Sequence, residues 1–284
     1  MEQSSHSVRC GQILLDFTTP VVMSILNITP DSFYAPSRTG NTAGEMVDKA
    51  GQMLEDGAKI LDVGGMSTRP GAMEIEPQEE LDRVIPAIEA LHASFPDAII
   101  SIDTYRAIVA DQGIKAGATM VNDISGGSLD PAMIDLVASV KVAFVLMHMR
   151  GKPSDMQTHT GYEDLIRDLV SYFVNKLRIF HQRGIRDIII DPGFGFSKTV
   201  EQNFLIIRQL EIMKFLECPI LIGLSRKSSL SQVIRRPVEE TLFATTALHM
   251  AALEAGASIL RVHDVKPAMD AIAIFNKLQQ AKNH

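Results

Sequence analysis

Eight short apolar runs, each closed by a polar or ionisable residue and followed by turn-forming sequence, most constrain what this chain can fold into. They span residues 21–26, 60–63, 98–102, 118–121, 142–146, 187–190, 219–224 and 258–262. Strands buried on both faces of a parallel sheet read as continuous apolar runs, and most of the intervals here are long enough for a helix. Eight such units predict a closed (β/α)8 barrel. In that fold the C-terminal strand ends and the loops after them build the active site. The polar groups at those ends are Asn27, Thr68 with Arg69, Asp103, Asn122 with Asp123, His148, Asp191, Ser225 with Lys227, and Arg261 with His263.

A local repeat points the same way. LEDGAKILDV at 54–63, IKAGATMVND at 114–123, HQRGIRDIIID at 181–191 and LEAGASILRV at 253–262 each read as a helix end, a glycine and then a strand. Glycine tolerates the left-handed conformation that closes a helix, so each copy is a helix stop followed at once by a strand. The intervals 103–117 and 122–141 are short and predict compact helices. Four-residue steps place Met46, Ala50, Met53 and Leu54, and again Leu165, Leu169, Tyr172, Phe173 and Leu177, on helix stripes that face the sheet.

With 284 residues and 46% hydrophobic content the chain can bury one large core, so a single domain with its barrel core at about 20–275 is expected. The net charge of −7 and the lack of a long basic run argue against a nucleic-acid or anionic-membrane partner. Cys10 and Cys218 lie far apart and lack metal-ligand spacing. The N-terminus has no apolar signal core, and no run approaches the ~18 apolar residues of a membrane span. A reducing cytoplasm is the expected setting.

The strand-end loops carry the chemistry. ILNITPDSF at 25–33 offers the neutral amide oxygen of Asn27, which suits a Mg²⁺ ion held mostly by phosphates and water; an Asn before a Pro-Asp turn is also a common turn former. DVGGMSTRPGA at 62–72 pairs glycines that admit a ligand with Arg69, a two-pronged anion donor. Asp103, Asn122 and Asp191 end apolar strands, where carboxylates need partners; a flat heterocycle with ring N–H and amino donors would supply them. Capping of the next helix is the plainer alternative. DPGFGFSK at 191–198 sets Phe194, Phe196 and Lys198 on a Gly-Pro loop, a stacking or lid surface for an aromatic substrate. After the seventh and eighth strands, the usual phosphate site of this fold, Ser225, Arg226, Lys227, Arg261 and His263 form a local cationic pocket. Lys227 alternatively suits a Schiff-base aldolase.

With these motifs in hand, the chain resembles the dihydropteroate synthases of the folate pathway, through ILNITPDSF, DVGGMSTRPGA, ISIDTYR, VNDISGG, LMHMRG, DPGFGFSK, GLSRKS and RVHD in that order over roughly residues 20–270. The resemblance implies a (β/α)8 barrel, usually a homodimer, that joins 6-hydroxymethyl-7,8-dihydropterin diphosphate to 4-aminobenzoate with the help of Mg²⁺. It implies a pterin on Asp103, Asn122, Asp191 and Lys227 beside Met147, a magnesium contact at Asn27, and diphosphate anchors at Arg261 and His263. Thr68, Arg69 and Pro70 resemble the second loop of the family. With Phe196, Ser225 and the stem of Lys227 they would shape the aminobenzoate pocket, where sulfonamides would compete, and Gly223 is a further substrate-binding position. Asp103, Lys227, Arg261 and His263 are the implied catalytic set.

Two positions depart from the family pattern. The first loop continues as Tyr34-Ala35-Pro36-Ser37-Arg38 where an acidic-Gly-Gly turn is common, and Met66 replaces a common Glu. Altered loop packing is expected at Met66. Competing readings are a methyltetrahydrofolate-dependent methyltransferase domain and a catalytically silent pterin-binding paralogue.

Overall fold

The computed structural model describes residues 7–28, 42–67 and 74–281. An antiparallel hairpin, β1 (Ser7–Cys10) and β2 (Ile13–Asp16), precedes eight parallel strands. These are β3 (Val21–Asn27), β4 (Ile60–Gly64), β5 (Ile99–Asp103), β6 (Met120–Asp123), β7 (Ala143–Met147), β8 (Ile188–Asp191), β9 (Leu221–Ile222) and β10 (Ile259–Val262). The sheet order is β8-β7-β6-β5-β4-β3-β10-β9, and a parallel bridge between Ile190 and Ile220 joins its two ends. The expected (β/α)8 barrel is therefore the observed one. Only β9 is much shorter than its run, because Pro219 has no N–H to give a ladder and the chain turns away at Gly223.

The outer layer consists of α1 (Thr42–Glu55), α2 (Pro77–Ser94), α3 (Ala107–Ala116), α4 (Ala132–Val140), α5 (Leu165–Gln182), α6 (Val200–Arg208), α7 (Ser228–Ile234), α8 (Leu242–Ala255) and α9 (Val265–Ala281). The short intervals do hold compact helices, of 10 residues in α3 and 9 in α4. The helix-stop repeat is found as read: Gly256 sits at φ 108°, its N–H closes the last turn of α8, and β10 begins at Ile259.

Strand side chains alternate between two cores, because successive Cβ atoms point to opposite faces. Val22, Leu26, Leu61, Val63, Ile100, Ile102, Phe144 and Leu260 pack outward against the helices, with Met46, Ala50, Met53, Leu169 and Phe173. Met23, Ile60, Ile99, Met120, Val145, Ile189, Leu221 and Ile259 point into the barrel. Each such fully buried aliphatic side chain contributes about 1.5–3 kcal/mol relative to exposure.

The hairpin closes the floor. Val8, Cys10 and Leu15 pack onto the inward residues of the barrel, and the backbone N–H of Arg9 donates to Asp187. Two four-residue strands with alternating exposure carry little periodic signal, so the sequence alone does not announce this hairpin. At the opposite end a small apolar cluster of Tyr105, Ile124 and Met147, with Met66, Leu129 and Phe196 against it, rims the mouth.

Candidate active site

The two-residue period that fills the barrel floor with Met23, Ile60, Ile99, Met120, Val145, Ile189, Leu221 and Ile259 also decides what lies above it. Two residues on from these inward positions come Asp62, Asn122, Met147, Asp191, Gly223 and Arg261, and four residues on come Asn27 and Asp103. An apolar lower layer thus carries a polar upper layer, and the polar residues converge from six different strands.

Arg261 is the hub of that layer. Its Nε donates to Asp62 Oδ2 at 2.6 Å and its Nη2 donates to Asp103 Oδ2 at 2.6 Å. Asn122 Nδ2 donates to the same Asp62 oxygen at 2.9 Å. Burial disfavours the ionised form of Asp103 and outweighs Arg261; with added repulsion from Asp62, its carboxyl is pushed up to about 7. The two carboxylates in turn hold Arg261 firmly cationic. Asp103 does not cap α3, whose first N–H, that of Ala107, donates to Asp130 at 2.7 Å. The helix-cap alternative therefore fails for Asp103.

Asp191 and two lysines build the far wall. Asp191 Oδ1 accepts from the N–H of Gly193 at 2.7 Å, and burial raises its pKa. Gly193 has φ 73°, and a Cβ there would collide with the carbonyl of His148, so only glycine lets this turn pass beneath the end of β7. Lys227 Nζ donates to the carbonyl of Phe194 at 2.7 Å and lies 4.2 Å from the ring centroid of Phe196. Lys198 Nζ donates to the carbonyl of Phe196 at 2.9 Å and lies 3.2 Å from His148 Nδ1. Burial pulls both ammonium groups down to about 7, against an opposing pull from Asp191. Burial likewise holds the imidazole of His148 neutral, far below its ordinary range.

The remaining wall comes from the last two strands. Ser225 Oγ accepts from the backbone N–H of His263 at 3.2 Å and lies 3.2 Å from its Nδ1. Arg226, at φ 52°, turns away from the mouth and grips Asp264 through Nε and Nη2 at 2.8 and 2.6 Å. The cationic pocket expected here is therefore corrected: Arg226 is neutralised by Asp264, Arg261 is shared by two carboxylates, and Lys227 is bound to a carbonyl. Asp123 also stays out of the mouth, because its oxygens accept from Ser125 and the N–H of Gly127 and build the turn after β6.

Met147 is buried beside Tyr105 and Ile124, Phe196 lines the same rim, and Gly223 leaves room next to the stem of Arg261. Asn27 is exposed at the end of β3. Thr68, Arg69 and Pro70, with Asp31, Phe33 and 34–38, lie outside the described residues. Both ends of the β4–α2 connection are pinned, by Arg83 on the carbonyl of Gly65 and by Arg106 on that of Ile75. Met66 approaches the hydroxyl of Tyr105 at 3.8 Å, while that hydroxyl donates to Glu74 at 2.7 Å.

Sequence reasoning missed Asp62, which sits inside an apolar run rather than at its end. Its signal was available in the parity it shares with Ile60 and in the lone charge within ILDV. Lys198, expected on a lid surface, is instead buried behind Phe196, and nothing in the spacing reveals that place.

The model of the family described as "Pterin binding enzyme" matches residues 23–263. The chain is 44% identical over 260 residues to the dihydropteroate synthase of Synechocystis sp., covering 90% of this chain and 89% of that one. Among solved structures, the Yersinia pestis dihydropteroate synthase in complex with a sulfonamide drug superposes with a TM-score of 0.90 at 37% identity, covering 97% of this chain and 100% of that one. The Xanthomonas albilineans dihydropteroate synthase with 4-aminobenzoic acid gives a TM-score of 0.89 at 36% identity, with 97% and 99% coverage.

Proposed function

The chain belongs to the pterin-binding enzyme family, and from that premise we propose that it condenses 6-hydroxymethyl-7,8-dihydropterin diphosphate with 4-aminobenzoate, giving 7,8-dihydropteroate and pyrophosphate. The observation that carries this reading is the polar layer itself: Asp103, Asn122, Asp191 and Lys227 face one another over an apolar floor, with Arg261 and His263 on one side. Carboxylates and an amide so placed match the ring N–H, amino and carbonyl groups of a pterin. Arg261 keeps unspent N–H donors for the diphosphate, and His263 stands beside it on the same strand end.

In this reading the C–O bond of the pterin methylene breaks first, and its electron pair leaves with the diphosphate. Positive charge develops on the methylene and spreads into the ring, where ionised Asp103 stabilises it. The aniline nitrogen then attacks and loses its proton to the departing anion or to water, with no strong protein base required. Phe196, the Lys227 stem and Ser225 would receive the benzoate, so sulfonamides are expected to compete there.

Mg²⁺ is part of the proposal. Among the described residues no group of three or more His, Cys, Asp or Glu could cage a metal. The donor set that fits is one amide oxygen, from Asn27, with phosphate and water completing the shell. When bound, the ion would offset charge growing on the leaving diphosphate.

We also propose a homodimer formed through α6, α7 and α8, neighbours that expose Leu205, Val233 and Phe243, the last at 83%. No described helix is long and apolar enough to cross a membrane. A cytoplasmic setting is proposed, to which two unpaired cysteines are suited. The deciding experiment is pyrophosphate release with each of the two substrates and Mg²⁺ omitted in turn. Turnover that needs all three is expected; pterin binding without turnover would favour a silent paralogue.

A further inference from the structure

Asp62 is fully buried in the middle of β4, beneath the residues assigned to the substrate. One of its oxygens, Oδ2, accepts from both Arg261 Nε and Asn122 Nδ2. The other, Oδ1, has no hydrogen-bond partner among the described residues. A buried carboxylate with an unpaired oxygen is costly, and an apolar residue would fill a β4 interior more cheaply. Its charge therefore needs a reason beyond packing.

The local geometry supplies one. Gly64, the next inward residue on β4, has no side chain, and a Cβ there would touch Asp103 at 3.4 Å. That gap lets Asp103 stand above Asp62, so that both carboxylates reach one guanidinium. Without Asp62, Arg261 would be free to swing its whole fork onto Asp103 as a two-pronged pair. With Asp62 in place only one nitrogen of Arg261 is committed to Asp103.

We infer that Asp62 is a positioning residue for the proposed reaction: it holds the guanidinium of Arg261 apart from a closed pair with Asp103 and fixes the amide of Asn122 for the pterin. The inference rests on the function proposed above. It has an electrostatic corollary. The charged groups that act on Asp103 are Arg261 from β10, Asp62 from β4, Glu80 from α2, Asp123 from β6 and Lys227 after β9. Asp62 raises the pKa of Asp103 directly by repulsion and indirectly by drawing Arg261 away. Its neutralisation lowers that pKa on both counts.

The test is Asp62→Asn, with Asp62→Ser as the second variant should the first fold poorly. Both are compared with wild type in pyrophosphate release across pH and in calorimetric binding of dihydropterin diphosphate across pH. The KM for the pterin diphosphate is expected to rise about tenfold or more, the usual scale for losing a partner that orients a ligating group. The acid limb of kcat/KM, near pH 7 in wild type, should move to lower pH by about one unit or more. The KM for 4-aminobenzoate should stay put. An unchanged KM for the pterin diphosphate, or an equal rise in the KM for 4-aminobenzoate, overturns the inference: any loss of the Asp62 charge relaxes the repulsion on Asp103 and moves the acid limb, whereas a lost positioning partner weakens the pterin selectively. If wild type binds pterin without turnover, the reading of the function fails, while pterin affinity about tenfold weaker in a folded variant still upholds Asp62.

Discussion

Arg226 closes both prongs of its guanidinium on the carboxylate of Asp264, and this pair joins the loop after β9 to the loop after β10. Its backbone is left-handed at φ 52°, a conformation that a non-glycine residue keeps only when its surroundings hold it there. Ser225 and Lys227 flank it, and His263 precedes Asp264. Arg226→Lys loses the two-pronged geometry while keeping the charge. Because the pair is partly exposed, the expected loss is about 1 kcal/mol, or roughly fivefold in kcat/KM for 4-aminobenzoate. Steady-state kinetics of Arg226→Lys and Asp264→Asn check this; normal values in both would leave the pair without a part in catalysis.

Asp103→Asn should weaken dihydropterin diphosphate binding. A hydrogen bond to a charged group is worth about 1.5–3 kcal/mol, so the affinity should fall roughly ten- to 100-fold by calorimetry. The sign of the pH effect follows from burial. With its carboxyl near 7, wild-type Asp103 is protonated below neutrality, so kcat/KM should decline there, and Asp103→Asn should lose that limb.

Lys227→Ala should impair both substrates at once, because the ammonium lies beside Asp191 and its stem lies against Phe196. Raised KM values for pterin diphosphate and for 4-aminobenzoate together are the expected signature. Unchanged kinetics would place Lys227 outside the site.

Lys198 binds neutral acceptors, and burial draws its pKa from 10.5 down to about 7. The unfolded chain therefore takes up a proton between those values that the folded chain does not. Stability contributed by this group is present at high pH and is lost as pH falls toward 7. Lys198→Met lacks this dependence. Between pH 7 and 9.5, wild type should gain about 1 kcal/mol or more on the variant, roughly 2–4 °C in melting temperature. Parallel melting curves at the two pH values would contradict the buried, deprotonating lysine.

The barrel and most of its polar layer were legible because strands buried on both sides leave long apolar runs, and the first polar residue after each marks the mouth. Asp103, Asn122 and Asp191 follow that rule, and Arg261 stands one residue before the end of its run. Asp62 breaks it, since a charge inside a run is visible only once parity tells inward from outward. The hairpin at 7–16 was hidden for a different reason: its strands are too short for periodicity to show, and only packing against the barrel reveals them. Arg226 read as one more cation because its partner, Asp264, lies far away in sequence, and nothing local announces an ion pair across two loops.

The inward side chains of the strands fill the barrel and the hairpin covers them from below, so the mouth is a blind pocket. In the function proposed above, a pterin seated on Asp103 and Asp191 would lie behind whatever occupies the rim at Phe196 and Ser225, so both substrates would share one doorway. The heterocycle would then arrive before its aromatic partner, and pyrophosphate would have to pass by the side of His263 ahead of the joined product. On that reading the order of events follows from a floor packed shut at the opposite end of the molecule from the chemistry.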